Sequence, residues 1–325
     1  MKPHLTALPF ALLPALAPTL GQAETPRVVT DIPAVHSLVA QVMAGAGTPE
    51  VLLEQGGNAH NYQLKPSQAQ ALQEADLTIW IGPEMTPWLG RAIAGVSLGG
   101  KVVSLLEAPG THVQAFGAGA HEHGEEPGHD DHAHEGEDDH AEDDGHDHDG
   151  TDPHAWLDPQ NGRHWLGVIA AELAALDPAQ ADLYAANATA AAERLAALDA
   201  RLGAQLAPVA ERPFVVFHDA YGYFNGHYGL HQAGAVALGD AAAPGAAHLA
   251  DLRADLAAGG VVCAFPEAQH DPKQVALLIE GTGVKLGGKL DPSGSSLSYG
   301  PELYEGLLTG LAETLGACLA DKPAN

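Results

Sequence analysis

Residues 178–207 (PAQADLYAANATAAAERLAALDARLGAQLA) contain no glycine before Gly203, abundant alanine, and Leu183, Leu195, Leu198, Leu202 and Leu206 at helical spacing. At about 1.5 Å per residue this predicts a single helix of about 45 Å, long enough to span two lobes and stiff where a Gly/Ser-rich hinge would bend. On each side of it the same theme recurs: a short β-rich apolar run, a turn, then a helix-like stretch. RVVT (27–30), EVLLE (50–54), DLTIWI (76–81) and KVVSLL (101–106) precede it, separated by PAVHSLVAQVMAG, PSQAQALQEA and PEMTPWLGRAIAG. PFVVF (213–217), AVAL (235–238), GVVCAF (260–265) and VKLGG (284–288) follow it, with helical stretches near 244–258, 272–281 and 301–320. Strands alternating with proline-opened helices imply parallel βαβ units. The predicted fold is α/β: an N-terminal lobe (24–177), a linker helix (178–207) and a C-terminal lobe (208–325).

Residues 1–23 form a targeting segment, with Lys2 as a meagre basic region, an apolar run from Leu5 to Leu20 and small residues at Gly21-Gln22-Ala23. Cleavage is expected after Ala23. Pro9, Pro14 and Pro18 make a poor spanning helix, and no other stretch offers the roughly 18 apolar residues a span needs. An exported chain without stable membrane insertion is therefore expected. Its two cysteines, Cys263 and Cys318, suit one disulfide in an oxidising compartment, or two buried thiols.

The 325-residue chain sets 14 Lys and Arg against 42 Asp and Glu, a formal charge of −28. Phosphate-binding proteins need basic patches, so nucleic acid is excluded as a partner and an anionic membrane surface disfavoured. Half of that charge sits in residues 121–149, which hold 14 Asp or Glu, 8 His and 7 other residues. The segment 117–152 is too polar to offset its ordering entropy and is expected to be disordered. Its histidines (His121, His123, His129, His132, His134, His140, His146 and His148) alternate with carboxylates at short spacing, a compositional signal for metal binding rather than for a plain solvated linker.

Three further histidines occupy strand-end or turn positions. His60 lies in GGNAHNYQLKPS after the second strand, His154 in TDPHAWLDP, and His218 in FVVFHDAYGYF at the end of the fifth strand. In α/β sheets ligands gather beyond the carboxyl ends of the strands. Spacing alone does not separate a metal ligand from a hydrogen-bonded structural histidine. Glu267 in FPEAQHDP, Asp152, Asp158 and Asp219 are candidates to accept the second N–H of a ligand imidazole. Trp80, Trp156 and Tyr221 read as packing near the cleft, and His227, His231, His248 and His270 as solvated histidines rather than a second metal site.

Taken in order, NAHNYQLKPS, ADLTIWIGPEM, DPHAWLDP, FHDAYGYF and LDPSG resemble the motifs of periplasmic metal-binding proteins that serve ABC transporters, in particular the zinc-specific ZnuA group with its acidic histidine-rich insertion. The resemblance spans about residues 27–320. It implies two (β/α) lobes joined by one long helix, one Zn²⁺ in the cleft between them, and delivery of that metal to an ABC transporter permease by a periplasmic monomer. Carried over by motif, the family's ligand histidines fall on His60, His154 and His218, its acidic position on Asp291, and its disulfide on Cys263 and Cys318. Related manganese carriers commonly have Glu where this chain has His218, and three imidazoles suit tetrahedral Zn²⁺ better than Mn²⁺. Some zinc carriers place a carboxylate just before the first ligand, where this chain has Ala59, so Asp291, water or a loop histidine is left for the fourth position. The alternatives are a manganese or other divalent-metal carrier, a periplasmic zinc buffer, and a zinc hydrolase. HExxH is absent and the resemblance carries no catalytic role, so a non-enzyme is expected.

Overall fold

The computed structural model describes residues 25–95, 98–117, 150–237 and 244–320. In the first half, β1 (Val28–Thr30), α1 (Pro33–Val42), β2 (Glu50–Val51), α2 (Pro66–Glu74), β3 (Leu77–Trp80), α3 (Pro87–Gly95) and β4 (Lys101–Ser104) build a sheet of order β2-β1-β3-β4. All its pairings are parallel. Every residue of β1 and β3 is buried, as befits central strands covered on both faces. Proline opens α1 and α2, where its missing N–H costs nothing. Helix α3 begins four residues later than PEMTPWLGRAIAG suggests, because Gly82–Thr86 forms a turn in which Met85 N and Thr86 N donate to Gly82 O.

Two helices cross the back of the molecule. The first, α4 (Pro159–Leu176), is started by Asp158, whose side chain accepts from Gln160 N, followed by Pro159. The second, α5 (Ala181–Leu206), is the long helix that the sequence predicts, extended by one-turn 3₁₀ segments at 178–180 and 207–209. Its buried stripe is Tyr184, Ala188, Ala191, Leu195, Leu198, Leu202 and Leu206, spaced in steps of three or four. Tyr184 takes the seat that the leucine pattern suggests for Leu183. Each fully buried leucine is worth about 1.5–3 kcal/mol, so this stripe, not helix propensity, holds α5 in place.

The second half comprises β5 (Phe214–His218), α6 (Gly222–Tyr228), β6 (Gln232–Ala237), α7 (Ala246–Ala258), β7 (Cys263–Phe265), α8 (Lys273–Ile279), β8 (Lys285–Leu286) and α9 (Leu303–Leu319). Its sheet, β6-β5-β7-β8, is again all parallel. Helix α9 does not stay with this sheet alone. Ser37 Oγ on α1 donates to Pro301 O (2.8 Å), Tyr304 N donates to Ser37 Oγ (3.0 Å), and Tyr304 OH donates to Trp156 O (2.6 Å). One apolar core therefore runs from α1 through α4, α5 and α9 into β5 and β7. The disulfide Cys263–Cys318 fastens α9 to β7. The long helix α5 joins the lobes, with α1, α4 and α9 packed along it. No helix among the described residues is long and apolar enough to cross a membrane.

Candidate metal centre

The carboxyl ends of both sheets face one cleft, a cavity of about 320 Å³ lined by His60, His154, His218, Glu267, Gln269 and His270 among others. Each of the first three arrives by a different local device. His60 sits in a turn that Asn58 closes by accepting the N–H groups of His60 (2.9 Å) and Asn61 (3.3 Å). Trp88 Nε1 donates to Ala59 O (2.6 Å) and holds that turn against the first lobe. His154 precedes a 3₁₀ turn (Ala155–Leu157), and His218 is the last residue of β5.

One ligand atom from each of these three histidines lies within 4.8 Å of the other two. Tetrahedral coordination at a Zn–N distance of roughly 2.0–2.1 Å sets donors about 3.3 Å apart, so small ring movements close the set around an ion. Two of the rings are aimed by buried carboxylates. Asp152 Oδ1 lies 2.8 Å from His154 Nδ1, and the Glu267 oxygens lie 3.1 and 3.3 Å from His218 Nδ1. An ionised carboxylate only accepts hydrogen bonds, so Nδ1 carries the proton in both rings and the lone pair is left on Nε2. Tyr221 OH also donates to Glu267 Oε1 (3.0 Å), and burial, with Glu267 close by, pushes this phenol well above its ordinary range and keeps it a donor. Burial likewise raises the carboxyl of Asp219, with the Asp152 charge adding to the effect.

Asp291 is not in the three-histidine group. Its Oδ1 accepts from Gln269 Nε2 (2.9 Å) and Ser293 Oγ (3.3 Å), and its Oδ2 from Ser296 N (2.8 Å) and Ser296 Oγ (2.5 Å). Of the outer carboxylates suggested by sequence, Asp152 and Glu267 hold the rings of His154 and His218. Asp158 caps α4 and faces His112 and His227 instead, while Asp219 accepts from Gln232. His227 and His248 are engaged elsewhere, by Asp199 and Ala235 O. His270 does line the cavity, stacked on Phe217 with ring centroids 4.1 Å apart, and burial lowers its pKa. Trp156 lines the cleft and Tyr221 lies buried behind it on Glu267, whereas Trp80 belongs to a separate cluster with Trp88. Trp88 belongs to none of the sequence motifs; its only local signal is the helix pattern of α3. The eight tract histidines and Ala23 lie outside the described residues. The expectation of a disordered segment through Asp152 does not hold for its end, since Thr151 pairs with Ala115 and Asp152 is buried.

Residues 28–318 match the family described as the periplasmic zinc-uptake complex component A, ZnuA. The chain is 51% identical over 324 residues to the high-affinity zinc uptake system protein ZnuA of Paracoccus denitrificans (strain Pd 1222), covering 98% of this chain and 99% of that protein. The periplasmic zinc-binding protein TroA from Treponema pallidum superposes with a TM-score of 0.74 at 22% identity, over 91% of this chain and 100% of that one. The solute-binding protein FpvC from Pseudomonas aeruginosa, in complex with Mn²⁺, gives the same TM-score and identity over 91% and 99%. These two structures share the fold, and between them the fold accommodates different metals.

Proposed function

This chain belongs to the ZnuA family of periplasmic zinc-uptake components, and from that premise we propose that it captures Zn²⁺ in the periplasm and hands it to an ABC transporter permease. The observation that carries the reading is the convergence of His60, His154 and His218, with Asp152 and Glu267 fixing two of the rings. Three neutral imidazoles form a borderline-soft nitrogen set that favours Zn²⁺ over Mn²⁺, which prefers more oxygen and higher coordination. Asp291, water or a tract histidine completes the tetrahedron; for Asp291 this requires its oxygens to give up contacts with Gln269 and the serines. The mature chain starts after Ala23, acts as a monomer, and has no catalytic role. The histidine-rich tract serves as an auxiliary collector.

The test is a zinc titration against competing chelators. Wild type is expected to show one tight class and additional weaker equivalents, and His60→Ala or His218→Ala to lose the tight class. Retention of that class in both variants overturns the assignment. Equal retention of manganese and zinc by wild type favours the broader divalent-metal carrier, and turnover of esters or peptides by the loaded protein favours a hydrolase.

A further inference from the structure

The two segments flanking residues 118–149 meet beside His154. Ala115 pairs antiparallel with Thr151, Phe116 N donates to Gly150 O (3.3 Å), and Asp152 N donates to Gln114 O (2.9 Å). Asp152 is thus the last rung of a short two-stranded neck and also the carboxylate that aims His154. Its oxygens divide the work. Oδ1 takes the backbone N–H and the Nδ1–H of His154 (3.0 and 2.8 Å), and Oδ2 takes Gln114 Nε2 (3.2 Å).

The C-terminal lobe closes over the same rung. Tyr223, on α6, accepts from Gln114 N (3.0 Å) and donates to Asp152 O (2.9 Å) through one hydroxyl. Beside it, a Cβ built on Gly222 stands 2.6 Å from Gln114 Nε2 and 3.0 Å from Asp152 Oδ2. Only a residue without a side chain lets α6 approach this closely. Gly222 is not among the positive-φ glycines and starts a helix, so alanine is acceptable to the backbone there. The cost of a methyl group at 222 falls on the flexible end of Gln114 and on Asp152.

We propose that Gln114, Gly222 and Tyr223 are positioning residues of the metal centre, forming a latch that locks Asp152, and through it His154, only when the C-terminal lobe is docked on the base of the histidine-rich tract. A carboxylate pinned on both oxygens cannot swing, so the imidazole it holds keeps its Nε2 turned to the cleft. Loss of such outer partners typically weakens a metal site about 10–100-fold. The latch also gives the second lobe a share in setting a ligand that belongs to the first. The inference rests on His154 being a zinc ligand.

The test compares full-length wild type with Gln114→Ala, Gly222→Ala, Tyr223→Phe and the Gln114→Ala/Gly222→Ala double variant. Each is read by chelator competition for the tightest zinc class and by the melting temperature of the metal-free protein. Each single variant is expected to lose about tenfold or more in affinity. Gly222→Ala is expected to melt close to wild type, since the backbone accepts alanine there and the nearest atom its methyl displaces is the flexible end of Gln114. The double variant is expected to be no weaker than the worse single, because both changes remove one contact. Wild-type affinity in Gly222→Ala and Gln114→Ala, fully additive losses, or a loss in Gly222→Ala that follows a lowered melting temperature each overturn the latch. His154→Ala separates the two readings: if it keeps tight binding, the zinc assignment fails, and if it loses tight binding while the latch variants keep it, only the latch fails.

Discussion

The two sheets are built alike and finished differently. Each places its first strand second in the order, and pairing aligns Val28 with Leu77 in one sheet as it aligns Phe214 with Cys263 in the other. Counting along the strands from those pairs, Asp31 and Ile32 correspond to Phe217 and His218, and Ile81 corresponds to Glu267. In both sheets a carboxylate spans the carboxyl ends of the two central strands. In the N-terminal lobe it is Asp31, fully buried, whose oxygens accept from Ile32 N (2.8 Å), Ile81 N (2.9 Å) and Thr86 Oγ1 (3.4 Å). In the C-terminal lobe it is Glu267, which faces a ring and leaves that ring's other nitrogen toward the cleft. One lobe uses the crossing to seal its core and the other to turn an imidazole toward the cleft. The fold supplies the position, and a few side chains at the strand ends decide its chemistry.

If that contrast is right, changes at the two crossings have opposite signatures. His218→Ala is expected to weaken the tight zinc class by about a thousandfold, roughly 4 kcal/mol, while the metal-free protein melts close to wild type. Asp31→Ala leaves two or more buried donors unsatisfied at about 1–3 kcal/mol each, so it is expected to lower stability toward urea severely. Equal melting of the two variants would dissolve the contrast. A second asymmetry concerns Cys263, which pairs where the first sheet has Leu77. Its disulfide to Cys318 spans 55 residues, a closure worth about 4 kcal/mol by loop entropy. Cys263→Ser/Cys318→Ser is therefore expected to destabilise the protein by that order in denaturant unfolding.

The crossings also differ in how they respond to pH. Burial pushes the Asp31 carboxyl up from 3.8 to about 6, against the opposing pull of the Ile81 and Ile32 N–H groups. The folded chain then keeps a proton that the unfolded chain releases. The resulting stability is fully present below about pH 3.8 and lost as pH rises through about 6. Its size is on the order of 3 kcal/mol at about 1.36 kcal/mol per pKa unit. The stability margin of wild type over Asp31→Asn is thus expected to shrink between about pH 4 and 6, which urea unfolding across that window measures. A constant margin would mean that Asp31 is ionised throughout. At the other crossing the effect appears in binding. Glu267→Gln is expected to cost about 10–100-fold in zinc affinity, because an amide can turn its NH₂ toward His218 Nδ1.

Much of this architecture is legible in the amino-acid sequence alone. Among the described residues six of the eight strands fall within the apolar runs, β5 runs one residue past its run to His218 and β6 starts three residues before its run at Gln232, and the three histidines that converge are those at strand ends and turns. Helix α4 also carries a local signal, since Asp158-Pro159 starts it and Trp165, Leu166, Ile169, Ala170 and Leu173 fall on one buried face, though the DPHAWLDP motif beside it overshadows that pattern. The return of α9 onto α1 has no local signal: Ser37 and Pro301 are 264 residues apart in the chain. Asp291 illustrates the same limit. Its motif marks it as a metal-site carboxylate, yet where its oxygens turn depends on Gln269 and Ser296, and no spacing rule encodes that.

The smallest expected effect concerns an insertion that only the first lobe carries. Between β4 and α4 the chain runs from 105 to 158, whereas from β8 to α9 it needs only 287–302. Binding within a tract of such composition must order backbone at roughly 1–2 kcal/mol per residue, so its sites should be weaker than the preformed centre. Joining Gly117 to Gly150 leaves a three-residue connection across the Ala115–Thr151 bridge, a short loop in which glycine is well suited to the turn. The neck and its hold on Asp152 then survive the deletion. Removal of 118–149 is accordingly expected to abolish the weaker equivalents in a zinc titration while changing the tight class by less than about threefold, well below the cost of losing an outer-shell partner. Capture, followed by stopped flow, should slow, because the tract's dense negative charge attracts cations and the chain tethers its histidines within a few residues of the cleft, raising their effective concentration. That advantage should fade as salt shortens the screening length to about 8 Å at 0.15 M and below. Loss of the tight class on deletion would make the tract part of the centre itself, and unchanged stoichiometry would remove its role as a collector.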